Sequence, residues 1–400
     1  MKLLHSILSP LRSLLAVWRR EFSLVMRDEG VMIFFFGLPL LYPIVYTLIY
    51  NPEVVNKIEV TVVDHSPNSA TRSFIRTLSA APSIDVAHYA PSLDEARRLM
   101  NEKECYAIIE IPRDFGRNVG SGRQATVPFY CDMSLLLRYR TLLSTLTELQ
   151  LATGAEFRQE IIGSSGLLGQ SAIGSAGAVG ANSTFLGDTS QGFASFIMPG
   201  ILVLILQQSM ILGITMLAGG RCERRLRNGG IDPLRAPAGA FATVMGRTLC
   251  YITLYIPVTL YVTHVVPLMF NLPNVGNPLD YLVYLFPMLV ASAFLGQTLG
   301  VFVTERESSM LVIVFTSVVF LFLSGLTWPR YAMSPFWHTL GDLIPATWGL
   351  EGFIQIASTG SSVALQSHPY NMLWILAALY LVTAILVQLL YRAVLLPANK

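Results

Sequence analysis

FASFIMPGILVLILQQSMILGITMLA, Phe193–Ala218, runs 26 residues without a formal charge, and RCERRLRNGG, Arg221–Gly230, follows it with four arginines and a glutamate. A helix rises about 1.5 Å per residue and bilayer hydrocarbon is about 30 Å thick, so a run of this length can cross a membrane. Comparable runs occur at Val31–Tyr50, Thr248–Phe270, Tyr281–Val303, Met310–Thr327 and Met372–Tyr391. Of 400 residues, 53% are hydrophobic and 13% charged, with a mean hydropathy of +0.54. Soluble chains carry about 25% charge, and buried helices of a soluble core rarely give six uninterrupted runs this long. The composition predicts a polytopic membrane protein.

Lysine and arginine orient it, because short loops rich in them stay in the cytoplasm. Residues 1–30 carry five and residues 219–247 carry six, whereas 271–280 carry none and 328–371 only Arg330. Six spans then place both termini inside. Segment 51–190 carries twelve, but a folded domain of that length translocates regardless of charge. The Val31–Tyr50 run follows about thirty charged and amphipathic residues and precedes NPEVVNKIEV, so it reads as an uncleaved anchor and not a signal peptide.

Residues 1–30 read as a cytoplasmic interfacial segment. Within 11–29, Leu11, Leu14, Leu15, Trp18, Phe22, Val25 and Met26 repeat at helical spacing opposite Arg12, Arg19, Arg20, Ser23 and Arg27. That pattern predicts an amphipathic helix on the membrane surface, with Pro10 suited to its first turn. Segment 51–190 changes character. Strand-like IEVTVVD, IDVAHY, YAIIEIP and TVPFYCD alternate with helix-like ATRSFIRTLSA and LDEARRLMNEK, and a long helical run follows from Leu135. Such alternation predicts a small α/β domain with a mixed sheet, joined to the second span by a Gly/Ser/Ala-rich linker. Cys105 and Cys131 fall near the ends of adjacent strands. A disulfide in an oxidising compartment and two free thiols both fit that placement.

The chemistry of an enzyme is missing from the sequence. It has no GxxxxGK[ST] phosphate loop, no HExxH or CxxC metal spacing and no GxSxG elbow. Ionisable residues in the spans sit near their ends, at Arg247, His264 and Glu305, whereas ion-coupled carriers place carboxylates at mid-membrane. His264 reads as a satisfied or interfacial histidine. Attention therefore falls on the charged inner face and on the outer segment after the fifth span. There TWPRYAMSPFWHTLGDLIPATW is too proline-broken to span and too aromatic for a free loop.

Several stretches together resemble the permease subunits of ATP-binding-cassette exporters, in the type-two exporter superfamily and its six-span branch with a large extracytoplasmic loop. WRREFSLVMRD with FFFGLPLLYPIVY resembles the interfacial helix and first span of that family. IEVTVVDHSPNSATRSFIRTL and YAIIEIPRDFGRNVGSGRQATVPFYCD resemble its outer domain. FIMPGILVLIL leading to RCERRLRNGGIDPLRAPAGAFATVMGR resembles the second span and cytoplasmic loop, and LSGLTWPRYAMSPFWHTLGDLIPATWGLEGF the half-inserted outer helices. The chain departs from the pattern at Arg221–Cys222, where the family often has another acid, and at NSTFLGDTSQ, which replaces an Asn-Pro.

The resemblance implies a membrane all-α fold of six transmembrane helices. An extracytoplasmic α/β domain with its linker, 51–190, is inserted between the first span, 31–50, and spans two to six, 191–400. It implies contact with a separate ATPase through Glu21, Arg27 and Asp28 and through a loop, 219–240, carrying Glu223, Arg224, Arg225, Gly229, Leu234 and Pro237. It also implies an outer gate in a re-entrant segment, 325–350, with Gly325, Trp328, Pro329 and Pro345. Trp328, Trp337 and Trp348 are expected to anchor that segment at the interface, and Gly325 to admit a close backbone approach. The implied partners are ABC ATPase subunits that bind ATP and Mg, a second permease copy or paralogue, membrane lipid and a periplasmic adaptor, with no nucleic acid. No metal or cofactor is expected on this chain, and its expected place is a bacterial inner membrane. A simpler account of the arginines is that they fix topology and bind anionic lipid. The rival function is a membrane scaffold or receptor, distinguished by whether an ATPase gene with a Walker motif lies adjacent.

Overall fold

The computed structural model describes residues 2–50, 55–121, 123–164, 192–230, 232–234, 238–272 and 274–395. The chain divides into two compact units, Pro52–Thr184 and the remainder, Met1–Asn51 with Phe185–Lys400.

The larger unit is helical. Helix α1 spans Lys2–Arg27. It begins eight residues before Pro10, so that proline lies inside the helix and not in its first turn. Among the described residues, six runs are long and apolar enough to cross a membrane: α2 (Glu29–Tyr50), α7 (Phe193–Arg227), α8 (Ala240–Met269), α9 (Pro278–Leu299), α10 (Arg306–Leu323) and a last one at Val363–Arg392. This last run opens with a 3₁₀ turn and continues as α13, Ser367–Leu395. Between α10 and α13 lie two shorter helices, α11 (Pro335–Asp342) and α12 (Pro345–Thr359). Each has proline in its first turn, where the missing N–H has no intrahelical partner to lose.

Helix α7 is the hub. Within its most apolar stretch 83% of residues are buried, against 22% for α2 and 18% for α10, so the others wrap around it. Its packing against α2 depends on Gly213. A Cβ there would stand 1.8 Å from a ring carbon of Phe35, which is fully buried between Tyr251 and Tyr255 at ring separations of 5.8 and 5.1 Å. Backbones approach closely in spans where a small residue faces a large one.

The smaller unit contains β1 (Ile58–Asp64), α3 (Ser69–Ala80), β2 (Ile84–Tyr89), α4 (Leu93–Asn101), β3 (Ala107–Ile111), α5 (Phe115–Gly120), β4 (Phe129–Cys131) and α6 (Leu136–Ser164). Asn68 and Thr71 form a reciprocal capping box that starts α3. The sheet order is β2-β1-β3-β4, parallel except for the antiparallel β3–β4 pair. Val60, Val62 and Ile109 face a core shared with Leu78 of α3 and Leu142 of α6, while Val63 and Ile108 face Ala96 of α4 on the other side. The connection between β3 and β4 contains the short helix α5 and is not a plain hairpin. Ala107, two residues beyond Cys105, pairs with Cys131, and both cysteines are free thiols in this structure. Burial pushes both thiols above their ordinary pKa. The Gly/Ser/Ala-rich linker lies outside the described residues beyond Ser164.

The Phe35–Gly213 contact generates a test. Gly213→Ala should destabilise the protein by about 1–3 kcal/mol, the usual cost of overpacking a filled core. The unfolding midpoint in detergent should fall, and Phe35→Leu in the Gly213→Ala background should recover part of the loss.

Candidate functional site

At the end of the bundle that carries α1, charged side chains turn inward. Among residues 11–27 of α1 the buried positions are Val17, Glu21 and Val25, one helical turn apart, while Leu11, Leu15 and Met26 are exposed. The interior stripe of this amphipathic helix thus has a carboxylate at its centre. Glu21 is 4% exposed. It accepts a hydrogen bond from Arg221 of α7 at 2.6 Å and one from the Tyr251 hydroxyl of α8, and Arg247 lies 3.6 Å away. Burial alone would raise the pKa of this carboxyl, but the two guanidiniums and the tyrosine hydroxyl outweigh it and hold the value below the ordinary one. Nearby, the Trp18 indole donates to Thr253 at 3.4 Å and stacks on Phe22. Helix α1 is therefore seated on α8 and does not rest on lipid alone.

A second ionic group lies where α1 ends. Asp28 caps α2 by accepting from the Val31 N–H at 3.3 Å, and it takes both arms of the Arg306 guanidinium at 3.0 and 2.8 Å. Glu223 accepts from the Arg306 backbone N–H at 2.9 Å and lies 3.7 Å from its side chain. Arg306, the first residue of α10, thus ties α10 to both α2 and α7. The predicted loop at 219–240 is helical through Arg227, because α7 continues past the membrane-length run. The chain reverses at Gly229 and Gly230, whose positive φ angles of 64° and 98° disfavour side chains. Beyond the turn, Asp232 receives Arg224 at 3.5 Å and caps the Leu234 N–H at 3.0 Å. Arg225 donates to the Gly230 carbonyl and to the Tyr391 hydroxyl.

The coupling residues implied by the resemblance therefore separate into two groups. Glu21, Asp28, Glu223 and Arg224 are ion-paired within the protein, and Arg225 is hydrogen-bonded there. Arg27, Gly229 and Leu234 are exposed, as are Leu226 and Arg227, and Pro237 lies outside the described residues. Arg306, Arg247 and Tyr251 belong to the ionic clusters, but their carboxylate partners lie far away in sequence. A lone arginine at a span end carries no mark of that role.

At the opposite end of the bundle, Arg330 organises the segment after α10. It pairs with Asp342 of α11, donates to Glu351 of α12 at 3.0 Å, and lies 4.5 Å from the centre of the Trp348 ring. Trp348 donates its indole N–H to the Asp342 carbonyl at 2.9 Å and is 6% exposed, whereas Trp328 and Trp337 are 58% and 49% exposed. The expectation of three interfacial tryptophans thus fails for Trp348, whose ring fills the interior beneath Arg330. Gly325 has φ +89°, and a Cβ there would meet the Arg330 side chain at 2.8 Å and not a second backbone. Pro329 precedes a 3₁₀ turn at Arg330–Ala332. Pro345 opens α12, whose Ala346 N–H donates at 2.6 Å to Gln207, fourteen residues into α7. Tyr284 of α9 donates to the Trp348 carbonyl at 2.6 Å. His264 is paired with Asn274 at 3.2 Å.

The family model described as ABC-2 family transporter protein matches residues 30–386 of this chain. No curated protein matches it.

Because the Glu21 pKa is lower folded than unfolded, its ion pairs stabilise the fold above the unfolded value of about 4.3. That contribution is lost as pH falls through the folded value. Glu21→Gln should therefore lower the unfolding midpoint at pH 7, a destabilisation of about 3–5 kcal/mol as Arg221 and Arg247 lose the buried carboxylate they share. The gap to wild type should close only well below pH 4.3. A gap independent of pH would mean that Glu21 acts by shape and not by charge.

Proposed function

The chain belongs to the ABC-2 transporter family, and from that premise we propose that it is the permease subunit of an ATP-driven exporter. Permeases of this family are generally non-catalytic transmembrane subunits that work with ABC ATPase partners. In our reading the ATPase is a separate chain that binds ATP and Mg, and the end of the bundle carrying α1 faces it in the cytoplasm. A second permease copy or paralogue would complete the transport path. The Pro52–Thr184 unit would lie outside the inner membrane, where a periplasmic adaptor would meet it. The cargo would be amphipathic, a drug or lipid, consistent with a path between apolar helices.

The observation that carries this reading is the tip beyond Arg225. The acids and most arginines around it are turned inward, while Leu226 and Leu234 stay 70% and 40% exposed beside exposed Arg227. Large apolar side chains displayed at a charged, solvent-side turn fit a soluble protein partner better than water. Force applied there would travel along α7 without a break and reach α1 and α10 through Glu21 and Arg306. Two-state motion of an ATPase would then bias two arrangements of the spans. At the far end, the Arg330 cluster would hold α11 and α12 as the outer closure. A scaffold or receptor would need no such tip.

Leu226→Glu and Leu234→Glu replace exposed residues, so folding and membrane insertion should persist. Co-purification of an ABC ATPase subunit co-expressed with this chain should weaken at least about tenfold, the effect of losing about 1.4 kcal/mol at a contact, and export should fall with it. Full retention of ATPase by both variants would reject the tip as the docking point.

A further inference from the structure

We propose that the outward face of α6 pairs antiparallel with the same face of a second copy of this chain, about a two-fold axis at Ser144. Core contacts fix the roll of α6. Leu142 is buried in the core beside the sheet, Leu146 and Leu149 pack against that core, and Arg138 lies 3.8 Å from the centre of the Tyr106 ring. The opposite side of the helix looks outward, and much of it is apolar. Among the described residues, every exposed large hydrophobic of the Pro52–Thr184 unit except Tyr89 falls between Met133 and Leu151. The exposed positions of α3 and α4 include Arg72, Arg76, Asp94 and Arg98 instead. Among the described residues, no run in this unit is long and apolar enough to cross a membrane. Contiguous exposed apolar surface marks an interaction site.

The order of residues on that face selects the occupant. Leu137, Ser144 and Leu151 recur two helical turns apart and share one stripe. Outward from Ser144 toward the N-terminus the stripe and its flanks carry Thr141, Arg140 and Leu137. At the same steps toward the C-terminus they carry Thr147, Glu148 and Leu151. All seven but Thr141 are exposed. The sequence is thus a palindrome whose charge changes sign at the centre. A second α6 running the opposite way about Ser144 sets Arg140 level with Glu148 of the other copy, and Leu137 level with Leu151, each pair occurring twice. A parallel pairing would oppose like charges. Such self-complementarity is the property of an isologous interface, and the opposed charges fix its register.

The polar groups of the face do not oppose burial. Thr141, Ser144 and Thr147 donate their hydroxyls to the carbonyls of Leu137, Thr141 and Leu143 at 3.0, 2.9 and 2.7 Å, so closing the seam strands none of these donors. The small Ser144 at the axis lets the two helices approach closely. From Leu137 to Leu151 the seam is about 21 Å long at 1.5 Å per residue, short beside a standard stable interface. It therefore fits two copies already held in one complex, and rests on the proposed function for the presence of the second copy.

The test is thiol cross-linking of the full-length chain in the membranes of cells that express it, under a mild oxidant. Ser144→Cys lies on the axis and should join two copies, giving a product of twice the chain mass. Wild type and Gln150→Cys, exposed on the same helix but off the stripe, should not. In the Ser144→Cys background, Arg140→Glu or Glu148→Arg should each lower the yield at least about threefold, as two attractive pairs become repulsive. Both changes together restore opposite charges and should recover it. All of these positions are exposed, so the fold is kept. No dimer beyond the controls, a dimer indifferent to the charge changes, or cross-linking only to a different protein such as an adaptor would overturn the proposal. The readout involves neither ATPase nor export, so a permease that works with a paralogue fails this test and still exports.

Discussion

Glu21 lies between Arg221 and Arg247 with the Tyr251 hydroxyl on the same carboxylate, and this arrangement constrains everything at one end of the bundle. A helix held to a membrane surface by leucines can slide and roll. A helix that buries a carboxylate against two guanidiniums cannot, because separation would leave both signs of charge unpaired in a low-dielectric interior. The position of α1 is thereby tied to α7 and α8. Arg306 extends the tie to α2 and α10 through Asp28 and Glu223.

The opposite end repeats the device with other residues. Arg330 gathers Asp342, Glu351 and the face of Trp348, so two helices too short to span are fixed to each other. Gln207 then joins the first turn of α12 to α7. A backbone N–H at that depth needs a partner, because lipid offers none. The same central helix thus receives an ionic cluster at one end and a helix terminus near its middle. Under the proposed function, displacement of either would be communicated along α7.

Length and apolarity made the six candidate spans legible in sequence, because a run such as Met372–Tyr391 is long and apolar enough to cross a bilayer. The α/β pattern of the smaller unit was legible too, since IEVTVVD and IDVAHY alternate with amphipathic helices at the proper period. The ionic clusters were not. Arg221 and Glu21 lie 200 positions apart, and Arg306 and Asp28 lie 278 apart. Arginine near a span end looks the same in sequence whether it faces water, lipid phosphate or a buried acid. Glu21 also falls on an apolar stripe only if the helix is rolled toward Val17 and Val25, and the apolar residues Leu11, Leu15 and Met26, which are exposed, argue for a different roll. Trp348 misled for a related reason. Tryptophan near a membrane surface fits an interfacial belt or an interior cation, and only the position of Arg330 separates the two.

Under the proposed function, the Asp28–Arg306 pair carries motion between α2, at the end of α1, and α10. The most direct measurement is a double-mutant cycle on Asp28→Asn and Arg306→Gln, read as substrate exported per ATP hydrolysed by the reconstituted permease–ATPase complex. Asn keeps an oxygen to cap α2, so each change removes chiefly the ion pair. If the pair acts as one unit, each single variant lowers the ratio and the double variant is no worse than the poorer single. Losses that multiply in the double variant, or singles that export like wild type, would contradict the account.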